Sequence, residues 1–211
     1  MGVKRFQPPG YHQHQNLLGG KKEMKNNSIY QEKYKGFDIQ IYQDVNPTSP
    51  REWDNLGAMY CWHRKYQLGD RHGYCIQEIE DLIKRKDVLS LPLYLYDHSG
   101  ITMNTTGFSC PWDSGQVGYI FVRYEDIKKN FSVKRITKKL INEVLKQLKA
   151  EVEEYDNYLT GNIYGYVIEK DGEHVDSCWG FYGDPEKNAL GEAKSVIDHY
   201  HEQKNFKGEG I

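Results

Sequence analysis

Apolar and polar residues alternate in several short runs. Phe37-Asp38-Ile39-Gln40-Ile41-Tyr42 reads as a half-buried strand. Ala58–His63 is a second strand, and Leu91, Leu93 and Leu95 interleave with Pro92, Tyr94 and Tyr96 in a third. Pro92 has no N–H to donate, which places it at a sheet edge or at a break. Asp97-His98-Ser99-Gly100 turns this strand back into Ile101–Thr105, and Val117–Tyr124 gives a further aromatic strand. Asp171-Gly172 is the turn of a hairpin joining Ile163–Lys170 to Glu173–Trp179. An unbroken two-residue register sets Ile168 against Val175, Tyr166 against Ser177, Tyr164 against Trp179 and Glu169 against His174.

Helical spacing appears three times. Ile76, Ile79, Leu82 and Ile83 give a short helix near Tyr74–Arg85. From Thr137 to Gly161, the residues Ile141, Leu145, Leu148, Val152, Tyr155 and Leu159 form one stripe with Val144 beside it, and Gly161 is the stop. Asp184-Pro185-Glu186 caps a last helix with Leu190, Ala193, Ile197 and Tyr200 inward. In the long helix Glu151, Glu153, Glu154 and Asp156 oppose the helix dipole, as a solvated face or a cluster kept for a partner or cation. The expected fold is α+β, a mostly antiparallel sheet with one long and two shorter helices packed on it. No linker separates residues 24–203, which read as one domain, with a loose tail at 204–211.

Residues 1–23 lack apolar periodicity and read as a disordered tail. The run Gly19-Gly20-Lys21-Lys22-Glu23-Met24 can also be encoded as a ribosome-binding site before a start codon, which would make Met24 the native start and residues 1–23 a mis-assigned leader. His12 and His14 in that segment are read as solvated, without a metal.

Composition narrows the function classes. The 211 residues hold 28 basic and 30 acidic side chains, formally −2, which disfavours a polycationic nucleic-acid binder. Local lysine patches, Lys84–Lys86 and Lys128–Lys139, keep a nucleic-acid reading open. No apolar run is long enough to span a membrane, and no charged-then-apolar leader is present. The expected location is the cytoplasm of a bacterial host, with Cys61, Cys75, Cys110 and Cys178 as thiols. Lys outnumbers Arg by 21 to 7, as in low-GC coding.

Three constellations could carry chemistry. Cys110 or Cys178 with His98 and Asp97 or Asp113 supplies the residue types of a thiol nucleophile, a base and an orienting carboxylate, and Asp54, Asp97 and Asp113 those of a metal-assisted hydrolase. Cys61, His63, His72 and Cys75 offer two thiolates and two imidazoles to zinc, though not at finger spacing. No cofactor beyond such a zinc is expected. The third constellation is aromatic. Trp53-Asp54 and Trp112-Asp113 each lead through a turn into a strand, as two loops at one sheet end or as a stable local device. With Trp179 they form a candidate ligand or partner surface. The 17 Tyr and 4 Trp support binding. A homo-oligomer remains open.

The runs FDIQIYQDVNPTSPREWDNLGAMYCWHRKYQLGD, LPLYLYDHSGITMNTTGFSCPWDSGQVGYIFV and YDNYLTGNIYGYVIE with VDSCWGFYG resemble an uncharacterised family of phage, prophage and mobile-element proteins over about Tyr34–Gly183. The resemblance implies such an origin and assigns no residue a role. The expected function is that of an accessory protein acting by binding, with a host-defence protein or its nucleotide signal as the target. The alternatives are a small hydrolase or metal-dependent enzyme, and a nucleic-acid binder.

Overall fold

The computed structural model describes residues 27–208, so the segment 1–23 and residues 209–211 lie outside the described residues. The fold is α+β, with eight antiparallel strands in two four-stranded sheets among the described residues. The chain forms two compact units where the sequence suggests one domain. Ser49–Thr160 makes one unit. Residues 27–48 and 161–208 make the other. No composition break marks the division, because the longer unit is inserted through short loops within the other.

In the inserted unit the strands are β3 (Ala58–Cys61), β4 (Val88–Asp97), β5 (Ile101–Asn104) and β6 (Ser114–Arg123), in the order β3-β6-β4-β5. Its helices are α1 (Ile76–Ile83), α2 (Tyr124–Asn130) and α3 (Lys138–Thr160). With the short α2 the described residues hold four helices, one more than the periodicity predicts. Pro92 sits in an internal strand, yet β5 pairs only with Tyr94–Asp97. At Pro92, β4 therefore has β6 alone beside it, and a bulge at Leu93/Tyr94 follows.

Helix α3 buries Leu140, Val144, Leu148, Val152, Tyr155 and Leu159 against this sheet. The stripe opens on Leu140 and Val144, whereas the sequence pattern starts it on Ile141 and Leu145, which are half-buried. Two of the four acids near its end turn inward. Glu151 is 7% exposed, accepts the Leu56 N–H at 2.9 Å and meets Arg51 at 3.3 Å. Asp156 accepts the Met103 N–H at 2.6 Å and the Thr102 hydroxyl at 2.7 Å. Only Glu153 and Glu154 stay on the solvated face. Burial raises the pKa of both inward carboxyls, partly offset by these donors.

The second unit holds β1 (Tyr30–Tyr34), β2 (Phe37–Gln43), β7 (Ile163–Lys170) and β8 (Glu173–Tyr182), paired in that order. Phe37, Ile39, Ile41, Tyr166 and Ile168 pack on Ala189, Leu190, Ala193 and Ile197. The last two belong to α4 (Gly191–Gly208), which runs past the expected end near residue 203. Asp184 caps its lead-in by accepting the Glu186 N–H at 2.9 Å. Tyr200 is 38% exposed and meets Phe37 edge-on. Asp171 and Gly172 have φ of 52° and 83°, as the predicted turn requires. Glu169 faces His174 as expected, but a bulge then slips the register, so Ile168 faces Asp176 and Gly165 faces Trp179.

Candidate functional site

His98, Cys110 and Asp113 do converge, on a single carboxylate oxygen. Asp113 Oδ2 lies 3.1 Å from His98 Nδ1 and accepts the Cys110 thiol at 3.8 Å. The Ser114 hydroxyl bonds the Cys110 carbonyl, and the Asp97 N–H donates to the Asp113 carbonyl at 2.8 Å. The carboxylate stands where a general base for the thiol would have to be, and no thiol–imidazole bond forms. The imidazole side chain is 62% exposed. Asp97 turns away, taking Lys65 at 3.1 Å and the Tyr66 hydroxyl at 3.3 Å. These bonds tie the end of β4 to the segment that follows β3. Asp54 is not part of this cluster.

Antiparallel pairing separates the two Trp-Asp loops. Ala58 lies opposite Phe121 and Cys61 opposite Gly118. Trp53-Asp54, ahead of β3, therefore emerges at the end of the sheet where β6 finishes, and Trp112-Asp113 at the end where β6 begins. They do not share one sheet end. Trp53 is 45% and Trp112 is 91% exposed. Trp179 belongs to the other unit. Its ring covers Gly165, where an added Cβ would fall 2.3 Å from it, and it leans on Tyr42 at 6.1 Å.

Of the four zinc candidates, the two histidines each have one ring nitrogen engaged in a hydrogen bond. Burial pushes the Cys61 thiol up to about 12. His63 Nδ1 accepts the N–H groups of Lys65 and Tyr66, both at 3.3 Å. His72 Nε2 lies 3.2 Å from the Cys61 carbonyl, which fixes the proton on that nitrogen. Cys75 is exposed ahead of α1, its N–H donating to Glu78 at 2.7 Å. Among the described residues no group of three or more His, Cys, Asp or Glu is arranged to hold a metal ion.

Cys61, His63 and His72 nevertheless share a place. They line an open cleft of about 730 Å³ formed by the irregular segment between β3 and α1. Its walls are aromatic. His63 stacks on Tyr66 with centroids 5.0 Å apart and planes 4° apart. Trp62 meets the His72 edge at 5.0 Å, and behind the lining Tyr60 stacks on His72 at 4.4 Å and on Tyr74 at 5.6 Å. Burial lowers the His63 pKa, favouring the neutral ring.

The segment is held in place from beneath. Asp70 receives Arg51 through two bonds, 2.8 and 2.9 Å, and the Met59 N–H at 2.8 Å. Gly69, at φ 67°, donates to the Tyr155 hydroxyl at 2.9 Å and closes a bridge to Tyr60. An added Cβ there would fall 2.4 Å from the Met59 carbonyl oxygen, so only glycine fits. Arg51 is itself buried. Burial opposes its charge, but Asp70 and Glu151 outweigh that and its pKa is raised.

Arg64, Gln67 and Arg71 also line the cleft and escape sequence reading. The available signal was a stretch dense in rings and arginine, WHRKYQLGDRHGY, that no strand or helix accounts for. Comparison of the chain with family models, curated proteins and solved structures finds no match. Among the described residues no helix is long and apolar enough to cross a membrane.

Proposed function

We propose that the protein works by binding, as an accessory protein of a phage or mobile element in the cytoplasm of a bacterial host, and that its ligand occupies the cleft between β3 and α1. The origin rests on the resemblance of its aromatic-glycine motifs. The binding site rests on one observation, the convergence of aromatic side chains with Arg64 and Arg71 on a cleft of about 730 Å³. That volume falls in the range of small-molecule sites. The wall is preformed by the Arg51–Asp70–Glu151 bonds, so little ordering cost falls on the ligand.

The enzymatic alternative would use the Cys110–Asp113–His98 cluster, which puts a carboxylate where a base for the thiol belongs. The nucleic-acid alternative loses part of its charge locally, since Lys84 pairs with Asp81 and Arg85 with Asp87.

Gly73 lies on the cleft wall with open space where a Cβ would point. Gly73→Trp therefore adds bulk at the cleft wall without meeting a neighbouring atom at its Cβ, and is expected to obstruct the cleft. In a thermal-shift screen against millimolar aromatic anions, the wild type gains stability, by about 2.7 kcal/mol at a hundredfold excess over Kd. Gly73→Trp gains none. A wild type unmoved by every compound, or a Gly73→Trp variant that responds equally, overturns the reading and turns the search to a host protein partner.

A further inference from the structure

We infer that the cleft takes a nucleotide, with its base against the aromatic wall and its phosphates between Arg64 and Arg71. This rests on the cleft being the ligand site. Three features of the lining select this chemistry.

The first is charge. The basic and acidic side chains in or beside the cleft are His63, Arg64, Lys65, Asp70, Arg71 and His72. Lys65 is paired with Asp97 at 3.1 Å and Asp70 with Arg51 at 2.8 Å. Burial holds His63 toward its neutral form. Arg64 and Arg71 form no ion pair among the described residues, and both are exposed. The free charge of the cleft is therefore positive and made of guanidinium, whose planar fork suits phosphate oxygens.

The second feature is the stacking surface. His63 and Tyr66 lie nearly parallel on the lining, and Tyr74, also on the lining, is 50% exposed and offers a ring on which a flat heterocycle can stack. The third is Gln67, an exposed amide on the cleft wall with no hydrogen bond among the described residues. A side-chain amide carries a donor and an acceptor side by side, the pattern that reads the edge of a base. A simple anion would use the arginines alone and an apolar ligand the rings alone. A nucleoside phosphate uses all three.

Calorimetric titration of the full chain with ADP, adenosine and pyrophosphate tests the assignment, with Gly73→Trp, Arg64→Gln and Arg71→Gln beside the wild type. ADP is expected to bind at least tenfold tighter than adenosine or pyrophosphate. Each arginine substitution should weaken ADP about five- to tenfold, as for a charged hydrogen bond at an open site, and leave adenosine unchanged. Because both arginines are exposed, these variants keep the wild-type melting temperature. If adenosine binds as tightly as ADP, is blocked by Gly73→Trp and ignores both arginine changes, the phosphate assignment fails while the cleft remains a ligand site. If neither ADP nor adenosine binds wild type, the nucleotide assignment falls, and the thermal-shift panel decides the cleft separately.

Discussion

Replacing Arg51 by Met tests the bonds that hold the cleft wall. The Arg51 side chain is 5% exposed. It donates to Asp70 at 2.8 and 2.9 Å, to Glu151 at 3.3 Å and to the Gly57 carbonyl at 2.6 Å. Met keeps most of the apolar stem and removes every donor. The two carboxylates then fare differently. The Asp70 side chain is 24% exposed and can regain water. Glu151, 7% exposed, keeps only the N–H groups of Leu56 and Gly57. Stranding a buried charge costs about 3–5 kcal/mol, a large part of the roughly 5–15 kcal/mol that holds a domain together. Most of that cost sits on Glu151. Adding Glu151→Gln should therefore return at least half of it, leaving a deficit of about 1–3 kcal/mol for the lost hydrogen bonds. Urea unfolding followed by tryptophan fluorescence gives both midpoints. A single variant that loses less than about 1 kcal/mol, or a double variant that loses the sum of the two singles, would show that no buried charge was stranded.

Asp156→Ala strands the Met103 N–H and the Thr102 hydroxyl and should cost about 1–3 kcal/mol, whereas Asp156→Asn keeps an acceptor and should match or exceed wild type at pH 7. The folded pKa of Asp156 is raised, so the stability linked to its proton is present below the unfolded value near 3.8 and lost as pH rises through the higher folded value. Asp156→Asn removes that slope, which urea midpoints across this range will report. Gly118→Ala should lose about 1–3 kcal/mol, because the new Cβ would sit 2.1 Å from the Tyr60 carbonyl oxygen and force β3 off β6; thermal melts check it. In the folded protein an aromatic disulfide reagent should label the exposed Cys75 and Cys178 and spare Cys61 until denaturant is added, as counted by mass.

Elements whose signals are local could be read from the sequence. Helix α3 and the Asp171-Gly172 turn follow from spacing and from residues that tolerate positive φ. Strand β1 did not show, because Tyr-Gln-Glu-Lys-Tyr is an exposed edge with no apolar face to alternate. The slip after Glu169 did not show either, because a bulge depends on packing and leaves no mark in composition. Glu151 and Asp156 read as a charged face because their partners lie far away, Leu56 being 95 residues from Glu151. The cleft escaped for a related reason. Three of its lining residues, Cys61, His63 and His72, read as zinc ligands, and only the stacking of His63 on Tyr66 and the packing of Trp62 against His72 show that this segment makes an aromatic wall.

The insertion of one unit into the other sets an order of events on the ribosome. Gln40 of β2 and Glu169 of β7 touch across 129 residues of chain. When β2 leaves the exit tunnel, β1 is the one described strand there to pair with it, and a lone two-stranded ribbon is marginal in water. Ser49–Thr160 carries its own sheet and core, so it can close while the ribbon waits. The late unit is thus assembled last from its two ends, and the closing of the loop between them is shortened once the insert has condensed. A pause in translation just after Thr160 would leave a finished insert flanked by an unfinished sheet, with the apolar face of Phe37, Ile39 and Ile41 open to chaperones until β7 arrives.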